Sequence, residues 1–164
     1  MYIRTVIVAA ALMFTAMPAF AHYFNVLLVG EAIGTSGAYD GFRMATRERD
    51  GHANEESDGH LGGLDSYIFT TDSLAESPAI AIQNAIDIVV FLEDSASAEV
   101  AVIKVINASD LTQDTRQAML EQLDFFARFE QEFGGEVSEA AQRAYMAAQL
   151  IEEMVRSRAI LADR

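Results

Sequence analysis

The chain contains no cysteine. That excludes disulfides, cysteine-ligated zinc, thiolate-held iron–sulfur clusters and a cysteine nucleophile. Tryptophan is absent and there are two prolines, which argues against a carbohydrate-stacking or proline-rich module. Basic residues are scarce. The chain has 11 Lys and Arg against 25 Asp and Glu, for a formal net charge of −14. Phosphate backbones are gripped by basic surfaces, so nucleic acid is not an expected partner. Adsorption to anionic lipid is disfavoured for the same reason. The sequence does have enough apolar content for a core. At 164 residues and 51% hydrophobic, it reads as one folded domain rather than a disordered tail.

Residues 1–21 read as an address (MYIRTVIVAAALMFTAMPAFA). Arg4 is a short positive start, and Val6–Met17 is an uncharged apolar run. Pro18 and the Ala19-Phe20-Ala21 triplet form an A-x-A cleavage site, so the pattern is that of a secretory signal peptide. The run is shorter than the roughly 20 residues of a membrane-spanning helix. Cleavage would start the mature chain at His22. Loss of Arg4 would take the formal charge from −14 to −15. Export without disulfides points to a bacterial periplasm. Residues 22–164 are then expected to form a single α/β domain.

The mature stretch alternates strand and helix signals. His22–Gly30 is a short apolar run that ends at Gly and reads as a buried strand. Gly30–Gly37 is a loop, and Ser36 can cap the helix that follows. Ala38, Phe42 and Ala45 recur at helical spacing, and this helix is expected to stop near Gly51. Residues 51–63 are polar, glycine-rich and without period, so they read as a loop. Leu64–Thr71 is a second strand. Ser77-Pro78 starts a short apolar helix over Ala79–Ile86, and Asp87–Leu92 is a third, buried strand. Ala98–Ile106 fits either strand or helix. Asp110 and Gln113 form a capping-box pair for a helix running to Phe133, with Met119, Leu123, Phe126, Phe129 and Phe133 on one face. Gly134-Gly135 ends it. Ser138 caps a last helix from Glu139 to about Leu161, with Ala141, Ala144, Ala148, Ile151 and Val155 as its buried stripe. This order predicts an α/β domain, a parallel sheet layered with helices.

Three stretches resemble the type 1 periplasmic solute-binding proteins, the amino-acid (leucine-binding-like) receptors of ABC transporters. The first is Val26–Gly51, a strand, a Gly/Ser loop with an aromatic and a GF-x-x-A helix. The second is Val89–Ser109, a strand, a serine-containing loop and an apolar segment. The third and most specific is Phe125–Val155, with F-x-x-x-F-x-x-x-x-G, a short loop and A-x-x-x-Y-x-A-A-x-L-I. Ser57–Phe69 is also similar to a loop and strand of some bacterial members. Lys104 stands where the family commonly has Pro, and Phe91-Leu92 where a Gly-Pro pair is common. Family members are usually more than twice this length and close two lobes on a ligand. The resemblance therefore implies the Rossmann-like fold of one lobe, a parallel sheet flanked by helices. The function it implies is capture of an amino acid or similar small polar solute for an ABC transporter permease. The alternative is a single-lobe accessory or sensor module, or a remnant without transport function.

Ligands of open α/β sheets sit beyond the carboxyl ends of the strands. Thr35, Ser36 and Tyr39 follow the first strand, Thr70, Thr71 and Asp72 the second, and Glu93, Asp94, Ser95 and Ser97 the third. Hydroxyls and helix-terminal N–H groups can meet a carboxylate, and Glu93 or Asp94 an ammonium. The resemblance singles out the Ser95/Ser97 loop as the match to a ligand-contacting serine. The plainer use of such residues is to cap helices and close turns. Asp50-Gly51-His52 and Asp58-Gly59-His60 repeat a triplet that can ligate a divalent ion, but a solvated turn is the stronger expectation and no metal or cofactor is expected. Glu55 occupies the position where an EF-hand requires Gly. No catalytic triad order, phosphate-binding loop or H-E-x-x-H occurs, so an enzyme is not expected. Phe125, Phe126, Phe129 and Phe133 read as core. If no second lobe covers this one, an uncovered apolar patch would favour a homodimer or docking to a partner.

Overall fold

The computed structural model describes residues 23–48, 57–93, 104–107, 120–121 and 124–157. The first strand, β1, is Tyr23–Val29, and helix α1 follows over Ala38–Arg47. A two-residue strand β2 (His60–Leu61) turns into β3 (Leu64–Thr71). Helix α2 (Ser77–Gln83) leads to β4 (Ile88–Phe91), and β5 is Lys104–Asn107. Helices α3 (Phe125–Phe133) and α4 (Glu139–Arg156) complete the described elements.

The strands form one sheet in the order β2-β3-β1-β4-β5. β1 pairs in parallel with both β3 and β4, and β4 pairs in parallel with β5; the β2–β3 hairpin is antiparallel. The molecule is thus mixed α/β with a mostly parallel sheet between helices. Side chains alternate across a strand, so the central strands feed two cores. Phe24, Val26 and Leu28 of β1 and Ile88 and Val90 of β4 face α1, α3 and α4. Leu27, Val29, Val89 and Phe91 face the other way, toward Ala81 and Ile80 of α2. Burial on both faces is why these strands read as unbroken apolar runs.

The larger core depends on close helix contact. Ala141, Ala144, Ala148, Ile151 and Val155 are all buried, the stripe expected for α4. Ala38, Phe42 and Ala45 of α1 are fully buried against them. Gly41 sits at the crossing, where a Cβ would run into the Ala141 carbonyl oxygen. Phe125 and Phe129 are buried, while Phe126 and Phe133 pack partly buried on the same core. The aromatic stripe is core, as expected.

Several element ends differ from expectation. Helix α1 stops at Arg47 rather than near Gly51. The expected 51–63 loop contains β2, because Gly62 and Gly63, both at positive φ, let the chain reverse into β3. α2 ends at Gln83, three residues early, where Ala85 at φ 47° closes a left-handed turn. The Ile86 N–H donates to Ala81 O and the Ala85 N–H to Ile82 O, the bonds of a Schellman ending. The long helix expected to reach Phe133 is interrupted, since Asp124 stands at φ 52° and α3 starts only after it. Asp is among the residues that visit this left-handed region most readily. α4 ends at Arg156, short of Leu161. Met119, Leu123, Asp110, Gln113 and most of Ala98–Ile106 lie outside the described residues.

Candidate functional site

Strand order reverses beside β1. The chain leaves β1 toward β3 on one side, and β4 leads on to β5 on the other. In open α/β sheets the loops part at such a point and leave a crevice at the carboxyl ends. A cleft of about 410 Å³ lies here, lined by Gly30 and Glu31 after β1, Leu92 and Glu93 after β4, and Glu139, Ala140 and Arg143 of α4. Its lining combines Leu92 and Ala140 with three carboxylates and one guanidinium.

The polar groups of this cleft are tied to one another. The Arg143 guanidinium donates from Nη1 to Leu92 O at 2.6 Å and from Nη2 to Glu139 Oε1 at 2.8 Å. Glu139 and Arg143 stand one helical turn apart, so the pair is built into α4. Glu93 Oε1 accepts the Glu31 N–H at 2.6 Å, which joins the ends of β1 and β4. Gly30 lets these strand ends approach, because a Cβ there would press on Leu92 at 3.2 Å. Three carboxylates against one arginine leave the lining rich in hydrogen-bond acceptors.

The sequence candidates divide. Glu93 lines the cleft. Ser36 is tied into the scaffold. Its Oγ accepts the Ala38 N–H at 3.3 Å, and its carbonyl accepts from the Ser138 hydroxyl. The cap position of α1 is Gly37, one residue after Ser36. Tyr39 donates its hydroxyl to Asp58 Oδ1 at 2.7 Å, and Asp58 Oδ2 accepts the Ile68 N–H at 2.9 Å. Burial first, then the Asp58 carboxylate, push the Tyr39 hydroxyl above its ordinary pKa. Tyr39 thus fastens α1 to the turn before β2, and Asp58 ties that turn to β3. Thr70 is exposed at the end of β3. Ser36, Tyr39 and Thr70 are not among the cleft-lining residues. Thr71 Oγ1 accepts the Ser73 N–H and closes a turn, whereas Asp72 Oδ1 accepts the Ile33 N–H at 2.7 Å and ties the loop after β3 to the loop after β1. Asp94, Ser95 and Ser97 lie outside the described residues.

Sequence reasoning missed Glu139, Ala140 and Arg143, which reach the cleft from α4, far along the chain. Their i, i+4 charge pair was legible, but it reads as an ordinary solvated helix face. The second Asp-Gly-His triplet is also occupied structurally. Asp58 holds Tyr39, and His60 Nε2 lies 2.7 Å from Asp65 Oδ1 across the hairpin. Asp50, Gly51 and His52 lie outside the described residues. Among the described residues, no group of three His, Asp or Glu side chains could hold a metal ion. No helix among them is long and apolar enough to cross a membrane.

A second polar cluster lies where α1, α3 and α4 meet. The hydroxyl of the fully buried Tyr145 is 2.9 Å from Glu48 Oε2 and receives Arg128 Nη2 at 3.2 Å. Arg128 Nη1 lies 2.6 Å from Glu48 Oε1. Burial raises the Tyr145 hydroxyl above its usual pKa, with the Arg128 hydrogen bond pulling the other way. Arg128 is held more firmly protonated, its bond to Tyr145 and the Glu48 charge outweighing the cost of burial. The cluster borders a surface hollow of about 450 Å³ shared with Met44, Arg47, Gln131 and Glu132.

The fold and the cleft define a mixed α/β protein with a crevice at the reversal of strand order. Comparison of the chain with protein-family models, with curated proteins and with solved structures finds no match.

Proposed function

We propose that this protein is a periplasmic solute-binding-like protein that serves an ABC transporter and binds an amino acid or similar small polar solute. In this reading it has the Rossmann-like fold of one lobe of a type 1 periplasmic binding protein. Residues 1–21 are a cleaved signal peptide, and residues 22–164 are the exported domain. The observation that carries the reading is the cleft between the ends of β1 and β4, where such sheets bind ligands. Glu31 and Glu93 supply acceptors for the solute ammonium. Arg143, fixed by Leu92 O and Glu139, stands beside them to favour a carboxylate. Capture uses hydrogen bonds and charge pairing, with no covalent step, and a transporter permease is the protein partner.

The test is thermal unfolding of the exported protein against a panel of amino acids, amines and small organic acids. A solute that binds only the folded state at 100 times its Kd stabilises by about 2.7 kcal/mol. A dose-dependent rise for one chemical class, lost in Glu93→Gln, is the expected result. A cooperative melt that no solute in the panel shifts would sink the solute-binding reading.

A second reading, a single-lobe interaction module, is favoured by one observation. Ile82 on the outer face of α2 is 81% exposed.

A further inference from the structure

We infer that the cleft at the ends of β1 and β4 takes a cationic amino acid, a solute with two cationic groups and one carboxylate, in preference to a neutral or an acidic one. The inference rests on the solute-binding reading and narrows it. It starts from charge. The lining sets three carboxylates, Glu31, Glu93 and Glu139, against one guanidinium, Arg143, an excess of two negative charges. A neutral amino acid brings one charge of each sign and leaves that excess where it was. A dicarboxylate adds to it. A solute of net positive charge lowers it, and such complementarity is what selects among partners of similar shape.

The hydrogen-bond donors point the same way. Backbone N–H groups of a loop are ready-made donors for an anion. Here the loop after β1 has given two of them to the protein's own carboxylates. The Glu31 N–H donates to Glu93 Oε1 at 2.6 Å, and the Ile33 N–H donates to Asp72 Oδ1 at 2.7 Å. A second carboxylate on the solute would have to displace one of these side chains. Arg143, the one basic group among the described lining residues, remains as the place for a single carboxylate. Its side chain is 16% exposed, held to the wall by Leu92 O and Glu139.

The order of the groups along the wall assigns the rest. Arg143 is anchored on the carbonyl of Leu92, and Glu93 is the next residue. An amino acid carries its carboxylate and its α-ammonium on one carbon, so these two groups go to Arg143 and Glu93. Glu31 is exposed on the β1 side of the cleft and meets the second cationic group. Gly30 keeps the wall between them open, because a Cβ there would lie 3.5 Å from Glu93 Oε1. The cleft volume of about 410 Å³ falls within the roughly 300–1,000 Å³ of small-molecule sites.

The test is calorimetric titration of the exported protein with four solutes that differ by single charged groups. Lysine is the reference. Norleucine is the same molecule with hydrogen in place of the second ammonium, cadaverine is lysine without its carboxylate, and glutamate carries a second carboxylate instead. Salt is set at about 0.15 M, where attraction to the acidic chain at large is screened beyond about 8 Å. Lysine should bind about fivefold more tightly than norleucine or cadaverine, the scale of one partly solvated charge pair. Glutamate should not bind. Glu31→Gln should bring lysine to the level of norleucine and leave norleucine unchanged. Glu153→Gln, exposed near the far end of α4, should change neither. Norleucine or glutamate binding as tightly as lysine overturns the inference and leaves solute binding standing. So does cadaverine at the level of lysine, since Arg143 would then hold nothing. A lysine affinity that Glu31→Gln leaves untouched overturns it too, as does one that both variants lower alike, which is attraction to an acidic chain. If none of the four solutes binds, the solute-binding reading falls and this inference with it.

Discussion

Tyr145 shows how much one residue can depend on distant partners. Its ring is fully buried among Phe125 and the α1 core, and its hydroxyl is bound to Glu48 and Arg128. Replacing it with Phe keeps the packing and removes one hydrogen bond to charged groups. Tyr145→Phe should cost about 1.5–3 kcal/mol in denaturant unfolding at neutral pH. The pH dependence has a definite sign. Burial raises the folded-state pKa of Tyr145, and likewise of Tyr39, above the unfolded value of 10.0. Below that value both states are protonated and the contribution is complete. As the pH rises past it, the unfolded chain ionises first, so stability falls. The melting temperature of the parent should therefore drop beyond pH 10, and that of Tyr145→Phe should drop less steeply. An equal alkaline drop in both proteins would show that Tyr145 is not a source of it. None of this was legible locally, because Glu48 and Tyr145 are 97 positions apart.

At the scale of elements, the helix ends and crossings are where small changes tell. Ala85 holds a left-handed conformation at the position after the α2 cap, which is usually Gly. Ala85→Gly should stabilise the protein by about 0.5–1 kcal/mol by relieving that strain, measured as a rise in the denaturation midpoint. Gly41→Ala should act oppositely. Its methyl would meet the Ala141 carbonyl and force α1 and α4 apart, costing about 1–3 kcal/mol or more. A neutral Gly41→Ala would mean that the two helices pass less closely. The element pattern itself was well legible. Leu64–Thr71 matches β3 at both ends, and Ser138 caps α4 by accepting the Ala141 N–H at 2.9 Å. Among the misjudged points were the end of α2 and the break before α3. Both rest on alanine or aspartate in a backbone conformation that no periodicity announces.

For the molecule as a whole, the sheet joins two cores. Leu27 and Val29 point to the α2 side while Val26 and Leu28 point to the α1 and α4 side, all on one strand. Neither core can come apart without the shared strands. Leu27→Ala, on the smaller side, should cost about 2–5 kcal/mol and lower one common transition. Far-ultraviolet and tyrosine near-ultraviolet circular dichroism should then melt together. Two separate transitions would show that the layers fold independently. The candidate site follows the same division. The sequence could place loops at strand ends, and Glu93 was found that way. The structure supplied Arg143 and Glu139 from α4 and gave Ser36 and Tyr39 structural partners instead.

By itself the sequence determined the absence of cysteine chemistry, the acidic balance, the alternation of strands and helices and the buried stripe of α4. Those properties rest on composition and on periods of two or 3.6 residues, which neighbouring residues carry. Only the tertiary structure decided the strand order, the three-helix cluster at Tyr145 and the members of the cleft. Each of these depends on which distant segments meet, and that choice is made by the packing of whole faces rather than by any local run of residues.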